Sequence, residues 1–252
     1  HDVYPYAAST TMLIATLPKE FAKLEPKQLL EALADDAQLE RLAALLRDSV
    51  GAADGDAAIA CGLDKLLIAN APRMPEAAGK TIAQLAAARG VGAFEMYTAI
   101  LRENKLGAQY IKFGMSEADV KYLMADELCM YGTDGLYIPG MPMTHPRAIG
   151  SFPRVLRVAV REDKLVSLEE AVRKMTSMAA EVYGLAGKGV IRPGMDADLV
   201  LFDAQRITDH ADYTAPLAPN EGVKRVYVNG VCAVKDDAPT GALAGRLLRL
   251  SR

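Results

Sequence analysis

The sequence predicts an α/β protein with its β content gathered toward the C-terminal end, and three observations carry that prediction. Short apolar runs such as Lys65–Ala69 and Leu128–Tyr131 alternate with longer segments whose apolar residues recur at three- and four-residue spacing. Beyond Lys188 the helical spacing gives way to short β-prone runs separated by Pro-Gly and Asn-Gly turns. One apolar run ends in Gly132-Thr133-Asp134-Gly135, a tight turn at a strand end, where α/β enzymes keep reactive groups. Asp and Gly are also ordinary turn formers, so the turn taken alone leaves a purely structural role open.

The elements follow in order. His1 to Tyr6 reads as a strand running into the small polar segment Ala8-Ser9-Thr10-Thr11. Residues 17 to 50 carry helical spacing through Leu29, Leu30, Leu33, Leu39, Leu42, Leu45 and Leu46, ending at the Gly/Asp-rich break 51–56. A strand at Lys65–Ala69 stops at Asn70-Ala71-Pro72. Thr81 caps a helix to Arg89, and a second helix from Ala93 to Asn104 shows Phe94, Tyr97, Ile100 and Leu101 on one face. Ser116, followed three residues on by Asp119, opens a third helix that leads into the strand before Asp134. Helical spacing returns from Phe152 to Arg161, and again from the Ser167 cap to about Tyr183, with Ala171, Val172, Met175 and Met178 as a packing face. Val190–Gly194 is expected as a strand into a Pro-Gly turn and Ala197–Phe202 as a buried strand. Val223–Val228 and Val231–Val234 form a hairpin across Asn229-Gly230.

Composition narrows the function classes. The 252 residues hold 29 basic and 32 acidic side chains, a net charge of -3, with the basic residues dispersed, so nucleic acid is not expected as a partner. No apolar run reaches the roughly 18 residues needed to cross a bilayer, and no leader-like pattern opens the chain. A soluble, cytoplasmic protein with no membrane partner is the expectation. Cys61, Cys129 and Cys232 are far apart in apolar settings and read as buried free thiols. With three histidines in all, a His-rich metal cage made from this chain alone is not expected.

Lys188 to Asp203 (KGVIRPGMDADLVLFD), with Val226–Gly230, Thr240-Gly241 and Gly245-Arg246, resembles the closing signature of the amidohydrolase superfamily. Four further segments resemble the N-acyl-D-amino-acid deacylases, or D-aminoacylases, within it. They are Asp2–Thr11 (DVYPYAASTT), Gly79–Ala86 (GKTIAQLA), Gly132–Gly135 with His145-Pro146-Arg147 and Gly150–Arg154 (GSFPR), and Ser167–Ser177 (SLEEAVRKMTS). Together they span nearly the whole chain in the family's order. The resemblance implies the C-terminal part of a (β/α)8 TIM-like barrel, strands seven and eight, over 1–187, with a helical insertion at about 16–115. Part of a small β-sandwich follows at 188–252. The His-x-His pair, the metal-ligating Cys and two further His that the family carries on its first six strands have no counterpart here. The implied partner is therefore an N-terminal half of the barrel that brings the His/Cys ligands.

What the resemblance implies for chemistry is hydrolysis of N-acyl-D-amino acids to a carboxylate and a D-amino acid with a Zn2+ cofactor. Asp134 matches the strand-eight aspartate that meets the metal and shuttles the proton from water to the departing amine. Tyr4 and Thr10 match positions that hold the amino-acid carboxylate. Thr10 departs from the family's usual Ser but keeps a hydroxyl. Arg147 is suited to a bidentate bond to a carboxylate, and His145 either hydrogen-bonds near the metal or holds its loop. Tyr4 as a packing aromatic and Thr10 as a loop hydroxyl remain the plain alternatives. Arg154 is expected to support the loop, and neither His1 nor His210 to bind metal. A hydantoinase- or dihydroorotase-like amidohydrolase, and an inert fragment or binding module when the chain is isolated, are the competing readings; without the missing ligands the chain alone is expected to be inactive.

Overall fold

The computed structural model describes residues 1–136 and 144–248, so residues 137–143, between the expected strand-eight turn and His145, and residues 249–252 of the 188–252 segment lie outside the described residues. Helices and sheets are mixed, as the sequence predicts. In chain order come β1 (Asp2–Val3), β2 (Ala8–Met12), α1 (Lys19–Ala22), α2 (Pro26–Ala32), α3 (Asp36–Asp48), α4 (Ala57–Ala60), β3 (Leu67–Asn70), α5 (Ile82–Arg89), α6 (Ala93–Glu103) and β4 (Gln109–Phe113). Then follow α7 (Glu117–Ala125), β5 (Met130–Tyr131), α8 (Arg147–Arg154), a π-helical stretch at Val155–Glu162, α9 (Leu168–Met175) and α10 (Ser177–Val182). The strands β6 (Leu199–Phe202), β7 (Val223–Val228), β8 (Val231–Lys235) and β9 (Ala238–Pro239) close the order. The chain divides into two compact units, one made of His1–Ala7, Met115–Leu136 and Pro146 onward, the other of Ala8–Gly114 with the described end of Tyr137–His145.

The second unit is a helical layer on a three-stranded antiparallel sheet of order β2-β4-β3, with Thr10 opposite Ile111 and Ile68 opposite Tyr110. The expected helical region 17–50 is three helices rather than one, because Pro26 starts a new helix and Asp35 caps another by accepting from the Gln38 amide at 2.9 Å. The Thr81 cap is a reciprocal box with Gln84, as its sequence suggests. On α6, Met96, Tyr97, Ile100 and Leu101 are fully buried against Leu33, Leu42, Phe21 and Ile68. Two strands of this sheet differ from expectation. Ala8–Met12, read as a polar segment, is β2, and Gln109–Phe113 gave no expectation at all. Ladder pairing, not side-chain polarity, makes β2 a strand, since its Thr and Ser suit a half-buried pleat beside β4.

In the first unit β1 and β5 pair in parallel, Asp2 with Met130 and Val3 with Tyr131. The strand expected at His1–Tyr6 is thus shorter, ending before the Tyr4-Pro5 turn. Ser116 and Ser167 cap α7 and α9 as expected. The helix expected at Phe152–Arg161 starts five residues earlier, so Arg147 opens a helix instead of sitting in a loop. Pro153 lies inside α8 and has no amide to give to the Ile149 carbonyl. Asn220 supplies the missing donor, its side-chain amide reaching that carbonyl at 2.8 Å. Beyond Pro153 the helix relaxes into the wider π spacing. The helix expected from Ser167 to Tyr183 is broken at Thr176, whose φ of -131 and ψ of -88 leave the helical region. Lys174, completely buried, closes the C-terminal end of α7 by donating to the carbonyls of Met124 (2.9 Å) and Asp126.

The C-terminal sheet is antiparallel with order β6-β7-β8-β9, and the Asn229-Gly230 turn has both residues left-handed, as a two-residue hairpin requires. Two expectations fail here. Val190–Gly194 is not a strand: Pro193 removes a ladder donor and Ile191 is 89% exposed, with no partner strand to cover it among the described residues. The strand at Leu199–Phe202 exists but is not buried, with Val200 at 58% and Leu201 at 59% exposure. Of the thiols, Cys129 is buried as expected, whereas Cys61 and Cys232 are only partly covered. No helix among the described residues is long and apolar enough to cross a membrane.

Candidate active site

The first unit brings Tyr4, Asp134 and Arg147 together. The parallel ladder continues past β5 through the Gly132 amide, which donates to the Val3 carbonyl at 3.0 Å, so the turn after β5 is set beside the turn after β1. The Thr133 hydroxyl accepts from the Gly135 amide at 3.2 Å and tightens the turn. Asp134 itself is left-handed, φ +42, a region that short polar Asp tolerates better than most residues. Gly135 is needed for contact rather than for its dihedral: a Cβ there would stand 2.9 Å from the Ala148 Cα in the first turn of α8. That close approach sets the Asp134 carboxylate against the start of α8. Arg147 Nη2 donates to Asp134 Oδ2 at 2.7 Å.

The two partners sit in unlike surroundings. The Arg147 side chain is 4% exposed, that of Asp134 68%. Arg147 is therefore a fixed, buried cation whose guanidinium also lies 4.4 Å from the centroid of the Tyr4 ring. Asp134 projects from it into the open. The guanidinium thus holds one carboxylate oxygen of Asp134 while the side chain stays largely exposed.

Thr10 and His145 belong to the second unit. The Thr10 hydroxyl donates to the Tyr110 carbonyl across the β2-β4 ladder at 2.8 Å. His145 is 1% exposed and its Nε2 lies 2.9 Å from the Ala8 carbonyl. His210 is exposed beside Glu221, 3.4 Å away, and His1 is exposed at the start of the chain. Among the described residues no three His, Cys, Asp or Glu side chains converge to hold a metal. Sequence reasoning missed Asp209, a carboxylate with 2% side-chain exposure that pairs with Arg157 Nε at 2.8 Å and Arg154 Nη1 at 3.5 Å behind the Tyr4 turn. Its only sequence signal was an acidic residue in an otherwise unassigned segment.

Residues 12–234 match the amidohydrolase family, and the chain belongs to it. Within that family it resembles the N-acyl-D-amino-acid deacylases. It is 42% identical over 187 residues to the N-acyl-D-glutamate deacylase of Alcaligenes xylosoxydans xylosoxydans, a match covering 74% of this chain and 37% of that one. Its structure is similar to that of a D-aminoacylase, at 33% identity and a TM-score of 0.70, over 99% of this chain and 42% of the other. It is also similar to an N-acyl-D-glutamate deacylase from Bordetella bronchiseptica complexed with zinc and a phosphonate mimic of the tetrahedral intermediate, at 31% identity and a TM-score of 0.67, over 97% and 42%. The chain thus spans about two fifths of the length of these relatives.

Proposed function

We propose that this chain is part of a hydrolase that cleaves the amide bond of N-acyl-D-amino acids, with Asp134 as its proton-transferring carboxylate. The observation that carries the reading is the Asp134–Arg147–Tyr4 cluster at the end of the β1-β5 pair. In the reaction, water adds to the amide carbonyl carbon, and Asp134 takes a proton from the water. The same proton then goes to the amine nitrogen as the carbon–nitrogen bond breaks, leaving a carboxylate and a D-amino acid. Tyr4 and Arg147 bind the amino-acid carboxylate, and fixing it together with the acyl group is what makes the configuration at the α-carbon matter.

The relatives point to a bound zinc ion, but the described residues of this chain do not fit one by themselves: no three His, Cys, Asp or Glu side chains converge among them, and Arg147 already engages Asp134. The remaining ligands belong to residues outside this chain, and no step above runs through the metal. In keeping with the relatives' greater length, we assign 1–187 to strands seven and eight of a barrel with its helical insertion at about 16–115, and 188–252 to a sandwich subdomain. The test is turnover by the full-length protein of N-acetyl-D-glutamate and N-acetyl-D-amino acids of other side chains, against their L-enantiomers and dihydroorotate. Release of the D-amino acid alone is expected; turnover of dihydroorotate without it would overturn the assignment.

A further inference from the structure

The turn that carries Tyr4 is gripped from behind by groups that have no part in the chemistry above. Arg154, the last residue of α8, donates Nε–H to the Pro5 carbonyl at 2.7 Å, and its guanidinium lies 4.8 Å from the centroid of the Tyr6 ring. Its Nη1 faces Asp209 Oδ2 at 3.5 Å, while Arg157 in the π-helical stretch holds Oδ1 at 2.8 Å. Asp209 is thus a buried carboxylate clamped between two cations from one helix. Gly150 sets that helix directly on the ring: a Cβ there would stand 2.6 Å from Tyr6 Oη and 3.4 Å from Asp209 Cβ. Tyr213 closes the other side edge-on, at 6.4 Å and 77°. Burial, with Asp209 nearby, pushes the Tyr6 phenol well above its usual range, so the turn keeps a neutral ring at any working pH.

A buried ion pair is a weak source of stability, because desolvating two charges offsets much of their attraction. What it does supply is direction. Arg154 reaches a backbone carbonyl one residue from Tyr4, and the same eight-residue helix bears Arg147 at its other end. One rigid element therefore fixes both carboxylate-binding groups, Arg147 directly and Tyr4 through Arg154.

We propose that Arg154 and Asp209 are a positioning pair for substrate binding, locking the Tyr4-Pro5-Tyr6 turn onto α8 so that Tyr4 and Arg147 meet the substrate carboxylate in one fixed relation. This rests on the assignment of Tyr4 and Arg147 to that carboxylate. In the full-length enzyme, Asp209→Asn and Arg154→Gln raise KM for an N-acetyl-D-amino acid by about tenfold or more while kcat changes less than about threefold, the signature of lost binding rather than lost chemistry. The double variant is no worse than the weaker single, since the two act as a unit. Arg154→Lys keeps the charge but not the planar stack or the Nε bond, and falls between. Unchanged KM in folded variants, or a loss confined to kcat, overturns the proposal. A crystal structure of Arg154→Gln gives an arm independent of turnover: the Tyr4 ring is displaced from Arg147, and an undisturbed turn overturns the pairing. Should Asp209→Asn fail to fold, Arg154→Lys carries both measurements. A parent enzyme that releases no D-amino acid sinks the functional assignment, and the crystallographic arm still decides whether the pair holds the turn.

Discussion

The two units are held together by different means. In the second, one large apolar cluster runs from Leu13 through Phe21, Leu33, Leu42, Ile68, Met96 and Ile100 to Tyr110, and the helices are ordinary amphipathic helices seated on it. In the first, the apolar cluster around Cys129, Tyr131, Val155 and Leu156 is small, and β6 leaves Val200 and Leu201 exposed. Charged and polar groups do much of the fastening there: Arg154 and Arg157 on Asp209, Lys174 on the α7 carbonyls, Asn220 on Ile149. A unit built on packing answers mutation through stability. One built on directional bonds answers through geometry, and that is where the Asp134 cluster is placed.

The largest effect expected is on catalysis in the first unit. Asp134→Asn in the full-length enzyme lowers kcat by about 10²–10⁴ while the variant still folds. Steady-state kinetics with parallel calorimetry check this, and a fully active variant would break the contrast. In the second unit Leu101→Ala removes a completely buried side chain and costs about 2–5 kcal/mol in denaturant unfolding. An effect under about 1 kcal/mol would mean the cluster is not the main support of that unit.

A smaller effect separates the units by pH. Burial raises the Cys129 thiol of the first unit from 9.0 to about 11. The unfolded thiol ionises first, so this contribution is fully present below about pH 9 and is lost as pH rises toward 11. Chemical denaturation of parent and Cys129→Ala between pH 8 and 11 checks it: the parent loses stability more steeply, and parallel curves would remove the thiol from the account.

Local signals were legible wherever the chemistry was local. Thr81, Ser116 and Ser167 announced helix starts, and Asn229-Gly230 announced a hairpin, because a cap or a two-residue turn is decided by side chains within three residues of it. The strands β2 and β4 were not legible, since each is a strand by virtue of a partner about a hundred residues away. The failed strand at Val190–Gly194 is the converse, a β-prone run with no partner among the described residues. At the site, Asp134, Tyr4 and Arg147 were named from their motifs, but Asp209 was not, because nothing in its neighbours in sequence indicates that two arginines some fifty residues upstream surround it.

The sequence by itself determined the α/β class and the family, which rest on periodicity and on contiguous motifs. Only the tertiary structure decided that Arg147 is buried while Asp134 stays open, that Thr10 spends its hydroxyl on a neighbouring strand, and that one helix ties Arg147 to the turn of Tyr4. Burial, ion pairing and strand partnership depend on which distant residues come within a few ångströms, and that information exists only once the chain has folded.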